Sequence, residues 1–155
     1  MVNGFDRDGM INIAQSDADR SKLAAAGEQD LRDDGTDYAG IVVPKPWGRE
    51  WQLFRNAEFS AWRLEIDAGA ETSMHCHVEK TTVLFVVEGE AEVSTLNKRF
   101  GMAIGDALII ERGVFHRTTS ARGAVVMELE SPANKRDLVR IDDRYGRAGT
   151  GYECV

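Results

Sequence analysis

Between Ile41 and Glu130 the chain is a succession of short apolar or alternating runs: REWQLFR, FSAWRLEI, TTVLFVVE, EAEVSTL, DALII, VFHRTT and AVVMELE. Each is too short for a helix of ordinary length and is rich in β-branched or aromatic residues, so each reads as a strand. Turn residues separate them at Gly69, Gly89, Asn97-Lys98, Gly105-Asp106, Arg112-Gly113 and Arg122-Gly123. That regular punctuation, with no helical pattern between, predicts an antiparallel sandwich or barrel. The 155 residues, 43% of them hydrophobic, suit one domain with a core of its own. TTVLFVVE is apolar on both faces, so its outer face needs a second sheet or a partner subunit to cover it, and a homodimer is expected.

The flanks differ in texture. Residues 1–40 hold nine acids against four bases, most of the net charge of −7, and are polar and interrupted by glycines. They read as an arm rather than as core. One short helix fits there, capped by Ser16, with Asp17 and Asp19 in its first turn and a stop at Gly27. DRDG at 6–9 opens like a calcium loop but lacks the later ligands and the closing glutamate. GRAGTG at 146–151 follows no strand and opens no helix, so it reads as a flexible tail rather than a phosphate cradle. Leu138, Val139, Ile141 and Tyr145 are expected to pack along the outside of the barrel. The expected organisation is an N-terminal arm over 1–40, a barrel over 41–131 and a C-terminal tail over 132–155.

Charge and composition narrow the partners. An acidic chain with no concentrated Lys/Arg face argues against nucleic acid and anionic membranes. No run of about 18 apolar residues could span a bilayer, and the start lacks a signal-peptide pattern, so a cytoplasmic protein with a small-molecule substrate is expected. Cys76 and Cys154 lie far apart with no CxxC spacing, which predicts ordinary reduced thiols.

The chemistry gathers on the histidines, of which there are three. His75 and His77 are separated by one residue in an extended segment, and residues i and i+2 of a strand share a face. They can offer two imidazoles to one cation while Cys76 points away. His116, in VFHRTT after a glycine-containing turn, is the third candidate. Such a cluster fits zinc, iron, nickel or copper better than magnesium or calcium, which prefer oxygen.

These residues resemble the cupin superfamily, whose motifs are written G(X)5HXH(X)3-4E(X)6G and G(X)5PXG(X)2H(X)3N. Gly69, His75, His77 and Gly89 occupy the first, and Gly105, Gly113 and His116 the second, with the right gaps throughout. Thr82 stands in place of the glutamate, Glu111 in place of the proline and Ser120 in place of the asparagine. The resemblance covers roughly residues 41–130 and implies an all-β jelly-roll barrel, the double-stranded β-helix, with the histidines facing its interior. It implies a divalent transition metal, among them zinc, iron, nickel or manganese, held by His75, His77 and His116. With a neutral threonine at the carboxylate position, the ion keeps its full charge and an open coordination position, which favours direct binding of an oxygen-rich substrate. A second resemblance, PKPWGREW at 44–51, is to the entry segment of the cupin domain in type II phosphomannose isomerases and related sugar-phosphate cupins. The same segment also has a structural use: Pro44 and Pro46 stiffen the approach, Gly48 allows a bend, and Trp47 and Trp51 fill the space beneath.

Three functions compete. The first is a metal-dependent isomerase or epimerase acting on a sugar phosphate or nucleotide sugar in carbohydrate metabolism, in which the metal polarises a carbonyl while a base moves a proton between carbons. The strands show no inward carboxylate in sequence, so the base is sought at the rim, in Glu79 and Glu111. Phosphate could meet Lys80, Arg49, Arg63 or Arg112. The second is a three-histidine non-haem iron dioxygenase, and the third a non-catalytic small-molecule-binding module.

Overall fold

The computed structural model describes residues 10–152; DRDG at 6–9 and Cys154 lie outside them. The chain opens with β1 (Met10–Ile13) and α1 (Asp17–Ala26), followed by β2 (Val42–Lys45), β3 (Gly48–Arg55), β4 (Ser60–Ile66), β5 (Ala70–Glu71) and β6 (Met74–Cys76). Then come β7 (Thr81–Gly89), β8 (Ala91–Thr95), β9 (Arg99–Met102), β10 (Ala107–Ile110), β11 (His116–Ser120), β12 (Ala124–Ser131) and β13 (Val139–Asp142). Each of the seven runs marked by alternation forms a strand. A seven-stranded sheet, ordered β1-β10-β7-β12-β4-β3-β2, faces a six-stranded sheet that includes β13-β6-β11-β8-β9, with β5 paired to β11. This is the all-β barrel expected.

Alternation decides what faces the lumen. On β7, Thr82, Leu84 and Val86 are buried, while Val83, Phe85 and Val87 on the outside are half-buried. The main core fills one end of the barrel with Trp62, Leu64, Leu108, Ile110 and Val126, all at most 4% exposed. A second cluster, Cys76, Phe115 and Val139, lies behind the six-stranded sheet and is covered by Leu23, Ala26 and Leu31. Cys76 therefore points away from the histidines, and burial pushes its thiol up to about 12.

Two motif glycines are required by their surroundings. Gly89 has a φ of +74°, and a Cβ there would meet the Gly123 carbonyl oxygen at 2.4 Å. Gly113, at φ +74°, donates its N–H to the carbonyl of His77 at 2.6 Å, which ties the two motifs together through the backbone.

The flanks are more engaged than their composition suggests. α1 begins at Ser16 with a reciprocal capping box to Asp19, as its acids foretold. The other oxygen of buried Asp19 accepts the N–H of Phe115 at 2.9 Å. β1 pairs in parallel with β10, and Tyr38 enters the main core at 3% exposure. A four-residue strand inside a polar stretch carries too little periodicity to be read in advance. At the other end, β13 adds to the edge of the six-stranded sheet through β6. Residues 143–152 then return across the barrel mouth as a strap, where the Tyr152 hydroxyl donates to Glu50 at 2.6 Å and its ring packs edge-on against Tyr38. Lys45 sits over the Tyr152 ring. GRAGTG is thus part of a folded strap rather than a loose tail: Gly149 donates to the Arg140 carbonyl and Thr150 accepts from the Arg140 guanidinium at 2.7 Å.

Candidate metal centre

His75 lies on β6, directly opposite His116 on β11, and His77 follows at the end of β6. The three rings stand 4.6–5.4 Å apart by centroid, and one ligand nitrogen of each lies within 4.8 Å of the other two. That is close to the reach of one ion with nitrogen ligands at about 2.0–2.1 Å.

The backbone sets which nitrogen faces the lumen. Nδ1 of His75 bonds to the carbonyl of Ser73 at 2.9 Å, Nδ1 of His77 to that of Asp137 at 2.6 Å, and Nδ1 of His116 to that of Val114 at 3.0 Å. A carbonyl oxygen only accepts, so each Nδ1 carries the proton and each Nε2 keeps its lone pair. Among the described residues, buried His77 Nε2 has no hydrogen-bond partner, nor has the hydroxyl of Thr82. Buried polar atoms without partners are rare, and an unpartnered Nε2 within the imidazole trio suits a site built for an ion and its ligands. Burial, foremost, holds all three imidazoles neutral: His75 and His77 are driven well below the ordinary value, the former also by His116 and the latter by Lys80, while His116 falls to about 4. Neutral imidazole is the form that ligates.

The acids proposed from sequence are elsewhere. Glu79 is exposed on the outer loop after the HxH segment, and Glu111 accepts from Asn12 at 2.7 Å on the outer side of the turn before His116. Neither lines the cavity bounded by the histidines. Of the cations considered for phosphate, only Lys80 does; Arg49 and Arg63 flank Trp51 outside the barrel, and Arg112 is exposed. Trp47 is buried in the lumen wall, whereas Trp51 is not.

The lumen carries inward carboxylates that the sequence reading did not find: Glu50 from β3 and Glu128 and Glu130 from β12, all at most 7% exposed. Lys135, from the turn after β12, lies 3.3 Å from Glu128, 3.6 Å from Glu50 and 3.9 Å from Glu130, with its ammonium over the Trp62 ring. Burial opposes the charge on Lys135, but Glu130, Glu50 and Glu128 together hold its pKa above the ordinary lysine value. Burial raises Glu128, whereas Glu130, equally buried, is held below the usual range by Lys135 and Lys80. Lys80 pairs with Glu130 and donates to the Asn134 carbonyl at 3.0 Å. Glu50, Glu128 and Lys135 border the same cavity, of about 50 Å³, as the three histidines.

Residues 62–129, which include all three histidines, match the family model Cupin_2, described as a cupin domain. Comparison with curated proteins gave no match. Among solved structures, an RmlC-like cupin from Shewanella frigidimarina superposes with a TM-score of 0.54 at 24% identity, over 66% of this chain and 95% of that one. KdgF from a Halomonas species gives 0.55 at 21% identity, over 66% and 93%. A cupin-superfamily sugar phosphate isomerase from Silicibacter pomeroyi gives 0.50 at 18% identity, over 54% of this chain and 58% of that one, so the match spans little more than half of that protein. The barrel that presents His75, His77 and His116 shares the fold of these cupins, and its segment 62–129, with both histidine motifs, matches the cupin-domain model.

Proposed function

We propose that the chain is a metal-dependent enzyme of isomerase type acting on a sugar phosphate or nucleotide sugar in carbohydrate metabolism. The observation that carries this reading is the set of three imidazoles, each with Nδ1 committed to a backbone carbonyl and Nε2 turned to a common point. A divalent transition metal held there would act as a Lewis acid toward a substrate carbonyl. Proton transfer falls to Glu128 in place of Glu79 and Glu111. Its carboxyl borders the same cavity, burial raises its pKa, and Lys135 holds it in place. The substrate class rests on the resemblance of PKPWGREW and agrees with the activity of the Silicibacter pomeroyi neighbour. The exposed Val42, Leu53 and Phe54 on the outer sheet support a homodimer.

The test is to purify the chain without a histidine tag or chelator, measure bound metal, and incubate it with aldose and ketose phosphates in D2O. Metal at about one ion per chain and deuterium entering the carbon beside the carbonyl support the reading. Iron(II) with oxygen uptake and no exchange would replace it by the dioxygenase, and ligand binding without turnover by the binding module.

A further inference from the structure

His75 and His116 are each oriented by a carbonyl two residues earlier in their own strand segment, from Ser73 and Val114. His77 is oriented from sixty residues away. Its Nδ1–H donates to the main-chain carbonyl of Asp137, in the turn between β12 and β13. The side chain of the same residue is wholly buried and accepts three successive backbone N–H groups: Val78 at 2.7 Å on Oδ1, and Glu79 and Lys80 at 2.9 Å each on Oδ2. Consecutive amides wrapped around one carboxylate form an anion nest, and each bond is strengthened by the charge. Asp137 therefore fixes both the backbone leaving His77 and the ring itself.

We infer that Asp137 is the positioning residue of the metal centre: through its carboxylate and its carbonyl it sets the tautomer and aim of His77, so that metal affinity is governed from the β12–β13 turn. The metal half of this statement rests on the three-histidine reading above; the positioning half does not. Orienting partners of this kind change affinity without touching the ion. A mere brace of the loop would act on stability alone and leave the imidazoles as they are.

The experiment uses the full chain with Asp137→Asn, which is isosteric and leaves one acceptor oxygen, and Asp137→Ala, which leaves none. In the metal-free protein, long-range ¹H–¹⁵N spectra report the tautomer of each histidine. His77 is expected to pass from a pure Nδ1–H form to a mixture, with His75 and His116 unchanged. Cobalt(II) titration by visible absorbance, with zinc competition, is expected to show affinity reduced about 10–100-fold, less for Asn than for Ala. If all three imidazoles keep their wild-type signals, or all three shift together, the inference is overturned. It is equally overturned if Asp137→Asn cannot fold, since the residue is then a brace. If the wild type binds neither cobalt nor zinc while His77 alone moves in the variants, the metal reading fails and the positioning of His77 stands.

Discussion

Thr82 on β7 stands directly opposite Glu130 on β12, and the buried carboxylate of Glu130 is neutralised by Lys80, two residues before the threonine. The barrel thus has a carboxylate one strand away from the position where the cupin motif has one, already committed to an ammonium. Thr82→Glu would add an acid beside an existing ion pair, facing the lumen where the hydroxyl now has no partner. Metal affinity, measured by chelator competition, is expected to rise about tenfold or more, and turnover to fall as the open position is filled. Unchanged affinity would show that position 82 does not face the ion.

His77→Ala removes a ring whose Nε2 makes no hydrogen bond among the described residues. Bound metal by elemental analysis is expected to drop below a tenth of the wild-type content, with the fold retained by circular dichroism. Full retention of metal would mean that the ligands lie elsewhere.

Lys80 and Glu130 are each 1% exposed in their side chains. Lys80→Met leaves a buried carboxylate without its nearest cation and should cost about 3–5 kcal/mol in denaturant unfolding. Adding Glu130→Leu should recover most of that loss, because an apolar pair of similar volume replaces the ions. A single variant as stable as the wild type would show that Lys135 alone can carry the charge of Glu130.

How far these groups could be read in advance depended on what alternation means. The strands and the histidine pair were legible because both follow from a period of two. In AVVMELE the same period offers two parities, and the ordinary rule assigns acids to solvent. Here Glu128 and Glu130 share the inward face with Val126, while Met127 and Leu129 face out. The lumen of a small barrel inverts the rule, which hides Glu50, Glu128 and Glu130 from a reading by period, whereas Glu79 and Glu111, loop acids near the motif histidines, are conspicuous. Asp137 and Lys135 carry no periodic signal at all, since their roles come from a turn that only tertiary pairing brings to His77 and Glu128.

On the proposed isomerase reading, Glu128→Gln keeps the shape of the lumen and removes the oxygen assigned to accept the proton. Isomerase turnover is expected to fall about 10²–10⁴-fold while metal content stays at the wild-type level. Equal loss in Glu79→Gln would return the base to the rim.

The metal-free protein should lose stability as pH falls through the histidine range. His116 has a folded pKa of about 4 against an ordinary 6.5, chiefly from burial, so the unfolded chain binds its proton first. Stability from this group is full above about 6.5, declines as pH falls and is exhausted below about 4, amounting to about 3 kcal/mol. Urea unfolding from pH 7 to pH 4 measures the slope, and His116→Gln should make it shallower by this group's share, His75 and His77 keeping theirs.

The strap has a kinetic consequence. With Tyr152 seated on Glu50 and Tyr38, the cavity beside the histidines is about 50 Å³, against about 150 Å³ for a cavity that admits benzene. On the proposed reading the ligand is a phosphorylated sugar, larger than this space, and residues 143–152 are expected to lift before it enters, which would gate the encounter by a rearrangement within the protein. The observed association rate then levels off as ligand concentration rises, at a ceiling equal to the opening frequency of the Tyr152–Glu50 contact. Tyr152→Phe, which deletes that hydrogen bond, is expected to raise the ceiling.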